Sequence, residues 1–396
     1  MKVAVVHDWM PVLGGAEQVL AEIIKTVGPC DLYTLFDFLT AADRARIGAT
    51  KIFTSYLNEL PFSRRYYRWT FPLCPAAIES FNLAQYDMVI SSSAAFAKGA
   101  VIHPHQRHIA YVHTCVRYAW DQMYEYMAST PLSKPPWGLV LRTALHRLRI
   151  WDSRTANSAD ILLANSSMVK RRIEQIYGRT AIVLPPPVEI DSFPLCTNKE
   201  DYFVVASRLV PYKRIDLVVD AFAQMPGRQL VIVGDGPQMG RLKSRATQNI
   251  TFTGRVGRKD VVEIVRRAAA FVSAAYEDFG IAMVEAQAAG TPVIAFNRGG
   301  SRDIVMTSDR RSPTGVLFDH QTAEAVKDAV ERFCATSERF SPQSCRANAE
   351  RFSPANFRFG LSKVIRDVTD PDFCRGFQPF QYSSASSGSR AVAANL

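Results

Sequence analysis

Short, nearly continuous apolar runs alternate with helix-period segments along most of this chain. In the first half the runs fall at 2–7, 31–36, 87–91, 108–112, 160–164 and 181–184. Strands that are apolar on both faces need cover on both, and intervening helices supply that cover together with the crossover that parallel pairing requires. Pro185, Pro186 and Pro187 then interrupt the rhythm, because consecutive prolines continue neither a helix nor a central strand. It restarts at 202–206 and runs through 230–233, 250–252, 271–275 and 293–296. The pattern predicts an α/β chain of two doubly wound, Rossmann-like domains, 1–187 and 188–368, facing each other across a cleft. The helix-like stretch 356–368 is expected to pack back toward the N-terminal domain. The Ser-, Ala- and Gly-rich segment 383–396 reads as a disordered tail.

Composition narrows the class. With 396 residues, 47% of them hydrophobic and 21% charged, the chain has enough length and apolar content for two ordinary soluble domains. Its apolar segments fall well short of the roughly 20 residues a membrane-spanning helix needs. Lys2 is followed by only four apolar residues before His7 and Asp8, which reads as a strand and not a signal sequence. The seven cysteines are scattered and never spaced C-x-x-C, so neither a zinc ribbon nor a disulfide framework is suggested and a cytoplasmic setting is expected. The net charge is +10; residues 1–190 hold 20 of the 47 basic and 15 of the 37 acidic residues, leaving 27 and 22, an excess of five in each half. That even division argues against a nucleic-acid-binding module, which concentrates charge on one element.

The chemistry concentrates in the second half. The strand expected at 271–275 gives way to Glu277-Asp278-Phe279-Gly280 and then to a helix beginning near Ile281. A strand end followed by glycine and a helix N-terminus offers free backbone N–H groups and partial positive charge, which suits a diphosphate. Glu277 in the loop and Glu285 in the helix would frame one edge of the cleft, where carboxylates accept hydrogen bonds from sugar diols. Taken singly, Glu277 also reads as solvated loop and Glu285 as a residue matched to the helix dipole. Arg208 and Lys213 follow the strand 202–206 and face the same cleft, where two cations neutralise a departing diphosphate; solvated surface charge is the plainer reading of both.

These segments resemble the retaining family 4 glycosyltransferases with the GT-B fold. The resemblance runs from Lys2 to about Arg366 and rests on VVHDWMPVLGGAE, ASRLVPYKRIDLVVDAF, VIVGDGP, ITFTGRV, YEDFGIAMVEAQAAGTPVIAF and GVLF. It implies that Glu285 holds the ribose, that Glu277 lies near the transferred sugar, and that Arg208 and Lys213 bind the diphosphate. It further implies backbone contacts from Gly280, Ile281 and Ala282, with Arg255 and Val256 bordering the base. HDWMPVLGGAE, SSSAAFAKG and HTCVRYAWDQMYEYM look like a subgroup of bacterial mannosyltransferases that build O-antigen and exopolysaccharide. That implies GDP-mannose as donor and a lipid-diphosphate-linked saccharide as acceptor. The residues themselves do not separate guanine from uracil or mannose from its epimers, so a UDP-sugar donor stays open.

In the first half, Gly14 and Gly15 follow strand 2–7 and open a second helix toward the cleft; two glycines permit close backbone approach, and most such pairs simply make turns. His113 follows strand 108–112 and is positioned to hydrogen-bond a sugar hydroxyl or phosphate, or else to be a satisfied structural histidine. The resemblance favours the active-cleft reading. Between Leu60 and Ile78 there is no acidic residue, while Arg64, Arg65 and Arg68 interleave with Tyr66, Tyr67, Trp69 and Phe71. With Arg147 and Arg149 in 142–154, this suits an anionic membrane surface and implies a peripheral enzyme on the inner face of the cytoplasmic membrane; solvated helix faces are the alternative.

The only D-x-D triplet is Asp370-Pro371-Asp372, far from the expected cleft, so transfer without a metal or other cofactor is expected. Gly234-Asp235-Gly236-Pro237 after strand 230–233 raises a nicotinamide-dependent oxidoreductase as a rival. The next glycine, Gly240, is one residue too far for G-x-G-x-x-G, and no ribose-binding acid ends the following strand.

Overall fold

A computed structural model describes residues 1–130, 134, 137–307 and 311–370. Two wholly parallel sheets organise them. The first holds β1 (Val3–His7), β2 (Asp31–Thr34), β3 (Lys51–Thr54), β4 (Met88–Ser93), β5 (Arg107–Val112), β6 (Ile161–Ala164) and β7 (Ile182–Val183), in the order β3-β2-β1-β4-β5-β6-β7. The second holds β8 (Glu200–Ala206), β9 (Gln229–Val233), β10 (Ile250–Gly254), β11 (Ala268–Ser273), β12 (Val293–Phe296) and β13 (Gly315–Phe318), in the order β10-β9-β8-β11-β12-β13. This is the expected α/β architecture of two Rossmann-like domains.

The period-two geometry of a strand explains the burial on both faces. In β1, Ala4 and Val6 point into one core with Leu35, Phe36 and Phe96, while Val3 and Val5 point into another with Leu20, Ile23 and Tyr111. In β8, Phe203 and Val205 join Phe222 and Ile232 on one face, and Val204 joins Phe271, Phe279 and Val284 on the other. The helix Pro354–Thr369 returns to the first sheet: Phe357, Leu361, Val364 and Val368 enter the core built on Val3 and Val5, and Arg358 pairs with Glu22.

Several strand limits differ from the sequence reading. β3 was not anticipated, because Lys51-Ile52-Phe53-Thr54 is a half-exposed edge strand without an apolar run. β4 continues through three fully buried serines, Ser91, Ser92 and Ser93, which disguise its end as a loop. β2 stops at Thr34, and β11 begins at Ala268 and ends at Ser273, leaving a seven-residue stretch, 274–280, before the next helix. The tail 383–396, and Pro371 and Asp372 of the D-x-D triplet, lie outside the described residues. No helix among the described residues is long and apolar enough to cross a membrane.

Strand order reverses between β1 and β4 in the first sheet and between β8 and β11 in the second. Such switch points splay the connecting loops apart at the carboxyl ends of the strands and leave a crevice there. His7, Asp8 and Ser92 sit at the first; Arg208 and Glu277 follow the strands of the second.

Candidate active site

The crevices join in one cavity of about 600 Å³ between the domains, a size suited to a small organic ligand. Gly14, Gly15 and His113 line it from the first domain; Arg208, Lys213, Glu277, Gly280, Ile281, Ala282 and Glu285 line it from the second. Arg255 and Val256 do not join them: neither lines the cavity, and Val256 packs on the core of Phe279, Met283 and Val284.

Arg208 is set by the turn after β8. Ser207 N donates to Val233 O and Leu209 N to Asp235 O, each at 3.0 Å. Here the glycines of the Gly234-Asp235-Gly236-Pro237 segment find their use: a Cβ on Gly234 would stand 1.9 Å from Ser207 O, and one on Gly236 2.5 Å from Leu209 O. They buttress the turn that carries Arg208, which accounts for them without a dinucleotide.

Glu277 lies in the loop after β11. Its carbonyl accepts from Gly300 N at 3.0 Å, and Gly299, at φ 87°, lies so close that a Cβ would be 2.2 Å from Glu277 O. Its carboxylate Oε1 sits 2.8 Å from Lys213 Nζ. Gly280, at φ 106°, turns the chain into the helix Ile281–Ala288, whose first turn has no side-chain cap; its leading N–H groups and dipole are suited to an anion. On that helix, Glu285 Oε1 accepts from Arg258 Nη2 at 2.7 Å. Burial raises the Glu285 carboxyl above its ordinary range, and the Arg258 guanidinium opposes the rise.

On the facing wall, Asp8 is buried and its carboxylate accepts four backbone N–H bonds, from Ala94, Ala95, Phe96 and Ala97, at 2.5–2.8 Å. This fixes the loop after β4. Ser92 Oγ then bridges His7 Nδ1 at 3.1 Å and His113 Nε2 at 2.9 Å. Burial, reinforced by His7, pushes His113 down to about 3, so His113 is a neutral hydrogen-bonding group at ordinary pH. Gly15 meets the other domain directly: a Cβ there would be 2.8 Å from Ile281 Cδ1.

Further contacts join the domains. Ser167 N donates to Asp303 Oδ2 at 2.7 Å, and Arg172 Nη1 to Asp278 Oδ1 at 2.6 Å. Arg172, Arg117, Arg258 and the pair Gly299-Gly300 were not singled out from the sequence. A signal for Arg172 existed: in the helix Ser167–Tyr177 it shares the buried stripe of Val169, Ile173 and Tyr177, and an arginine on an apolar stripe needs a partner. Of the basic surface, Arg64, Arg65, Arg68 and Arg147 are exposed, whereas Arg149 turns inward to Ala119 O.

Comparison with known proteins bears on the family and the fold. Residues 13–192 match the family model described as Glycosyltransferase Family 4, and residues 189–352 match Glycosyl transferases group 1. A GDP-mannose-dependent alpha-(1-6)-phosphatidylinositol monomannoside mannosyltransferase of Mycobacterium tuberculosis is 29% identical over 246 residues, 54% of this chain and 61% of that protein. A GDP-mannose-dependent monoacylated alpha-(1-6)-phosphatidylinositol monomannoside mannosyltransferase of Corynebacterium glutamicum is 31% identical over 208 residues, 45% of this chain and 53% of that protein. The matched segments thus span about three fifths of these relatives or less. Among solved structures, Anabaena Alr3699/HepE in complex with UDP has the same fold, with a TM-score of 0.66 and 18% identity over 92% of this chain and 100% of that one.

Proposed function

The chain belongs to the GT-B glycosyltransferases of group 1 and family 4, and from that premise we propose that it moves a hexose from a nucleotide sugar to a saccharide acceptor with retention of anomeric configuration. The observation that carries this reading is the convergence of Arg208, Lys213, Glu277, Gly280 and Glu285 on one side of a single cavity with Gly14, Gly15 and His113 on the other. Two cations and a helix N-terminus suit a diphosphate, and two carboxylates suit the diols of ribose and hexose.

In the proposed reaction the acceptor oxygen bonds to the anomeric carbon on the face from which the nucleotide departs. The bond from that carbon to the phosphate oxygen breaks, and the leaving phosphate takes the acceptor's proton. Arg208 and Lys213 stabilise the charge that builds on the phosphate. Glu277 orients the sugar, Glu285 holds the ribose, and neutral His113 hydrogen-bonds a sugar hydroxyl. No carboxylate is assigned as a covalent nucleophile. With cations serving the diphosphate, turnover is expected to survive EDTA; its abolition, with restoration by magnesium, would refute the metal-independent reading.

GDP-mannose is the donor we favour, and the two GDP-mannose-dependent relatives support it. The acceptor we propose is a lipid-diphosphate-linked saccharide of bacterial O-antigen or exopolysaccharide synthesis. Membrane docking is supported by Phe62, Tyr66 and Trp69, exposed at 76%, 47% and 58%, beside the exposed Arg64, Arg65 and Arg68. Incubating the purified chain with GDP-mannose, other GDP-sugars and UDP-sugars, and scoring hydrolysis and transfer, tests the proposal. Turnover of GDP-mannose supports it, turnover of UDP-sugars alone reassigns the donor, and none with any sugar nucleotide overturns it.

A further inference from the structure

Asp278 follows Glu277 directly, yet its carboxylate is held by the opposite domain. Arg172 Nη1 donates to Asp278 Oδ1 at 2.6 Å and to Thr114 Oγ1, beside His113, at 3.0 Å. Arg172 Nη2 lies 3.0 Å from Asp121 Oδ2, an ion-pair contact without hydrogen-bond geometry. Arg117 Nη1 stands 3.7 Å from Asp278 Oδ2. Both arginines and Asp121 come from the first domain; Asp278 comes from the second. Arg172 is only 4% exposed, and a cation so buried is costly without its carboxylates, so separating the domains would strip Arg172 and Asp278 of each other together. Within its own domain the loop is held at Glu277 O by Gly300 and at the Glu277 carboxylate by Lys213. Asp278 adds the hold that depends on the other domain.

We propose that Arg172, acting through Asp278, is a positioning residue that makes the correct placement of Glu277 conditional on closure of the two domains. This rests on the reading of Glu277 as the carboxylate that orients the donor sugar. It gives the fold a means of withholding chemistry until both walls of the cleft are together: a donor held by the second domain alone meets a misplaced Glu277, and water attack on it is suppressed. The guanidinium fork matters as well as the charge, because one planar group reaches Asp278, Thr114 and Asp121 at once and an ammonium does not.

The test uses the full chain carrying Asp278→Asn, Arg172→Lys or both. It measures kcat and donor KM, GDP and UDP affinity by calorimetry, thermal unfolding, and small-angle scattering with nucleotide bound. We expect each single variant to lose about 10- to 100-fold in kcat while nucleotide affinity stays within about threefold and the chain, though melting somewhat lower, remains folded at the assay temperature. The double variant should be little worse than either single, because both remove one shared contact. The Asp278→Asn scattering profile should be more open than the parent's. A kcat within about twofold of the parent in Asp278→Asn, a kcat loss that merely follows the folded fraction, additive losses in the double variant, or identical scattering profiles would each overturn the latch. A parent chain that turns over no sugar nucleotide would instead overturn the functional reading, while scattering still decides whether Asp278 holds the domains closed.

Discussion

Lys213 Nζ and Glu277 Oε1 stand 2.8 Å apart, reaching each other from the loops that follow two adjacent strands of the second sheet, β8 and β11. The cation assigned to the diphosphate and the carboxylate assigned to the sugar therefore restrain one another, and a phosphate entering the cleft competes with Glu277 for Lys213.

Replacing Lys213 with Ala should remove leaving-group stabilisation and free Glu277 at the same time, lowering kcat by about 10²- to 10³-fold. Both partners are partly exposed, so the pair contributes no more than about 1 kcal/mol to folding, and the melting temperature should move by less than about 3 °C. Steady-state kinetics and a thermal melt on one preparation check this; kcat within tenfold of the parent would contradict it.

Arg258 and Glu285 give a pH prediction. Burial raises the Glu285 carboxyl and Arg258 opposes the rise, so removing the guanidinium should raise it further. Ribose binding that uses the ionised carboxylate is lost as pH falls through that value. In Arg258→Gln the rise in donor KM on acidification should therefore begin at a higher pH than in the parent, with the two curves converging at alkaline pH. Superimposable KM profiles would show that Arg258 does not act on Glu285.

Gly300 should tolerate no side chain, since a Cβ there would lie 2.0 Å from Phe279 O, a backbone atom. Gly300→Ala must push the 277–280 loop outward, at a cost of about 1–3 kcal/mol and with loss of nucleotide affinity. Gly240 has nothing within 4 Å of a built Cβ, so Gly240→Ala should leave both unchanged. Calorimetric titration with GDP and chemical unfolding of the two variants make the comparison.

Two histidines, His108 in the core and His113 at the cavity wall, predict acid sensitivity. Burial pushes His108, which is fully shielded, down to about 4, against an opposing pull from Asp160; His113 is pushed down to about 3. The unfolded chain titrates near 6.5, so between that pH and the folded values it binds protons that the folded state refuses. Stability present above pH 6.5 is then lost as pH falls toward 4, by at most about 3 kcal/mol for His108. Urea unfolding at pH 7, 5.5 and 4.5 should show this decline, and His108→Gln should flatten it.

The apolar runs at β1, β5, β6 and β12 were legible because a strand buried on both faces must be apolar throughout. β4 was cut short by two residues because Ser92 and Ser93 are buried serines that read as loop, and β3 was missed because an edge strand needs no apolar run. Gly234-Asp235-Gly236-Pro237 looked like a ligand loop, and packing made it the support of Arg208. Arg255 and Val256, named from resemblance, are not among the residues lining the cavity, and Val256 packs against the apolar core.

By itself the sequence determined what depends on local spacing: an α/β chain with two parallel sheets, and charged residues and glycines in the segments that follow their strands. Tertiary structure alone decided what depends on distance between residues remote in the chain. It set Lys213 against Glu277, Arg258 against Glu285, Ser92 between His7 and His113, and Arg172 against Asp278, 106 residues away. The reason is physical. Periodicity reports which face of an element is buried, whereas the partner a charged or polar group finds is fixed by how elements remote in the chain pack together, within each domain and, for Arg172 and Asp278, between the two.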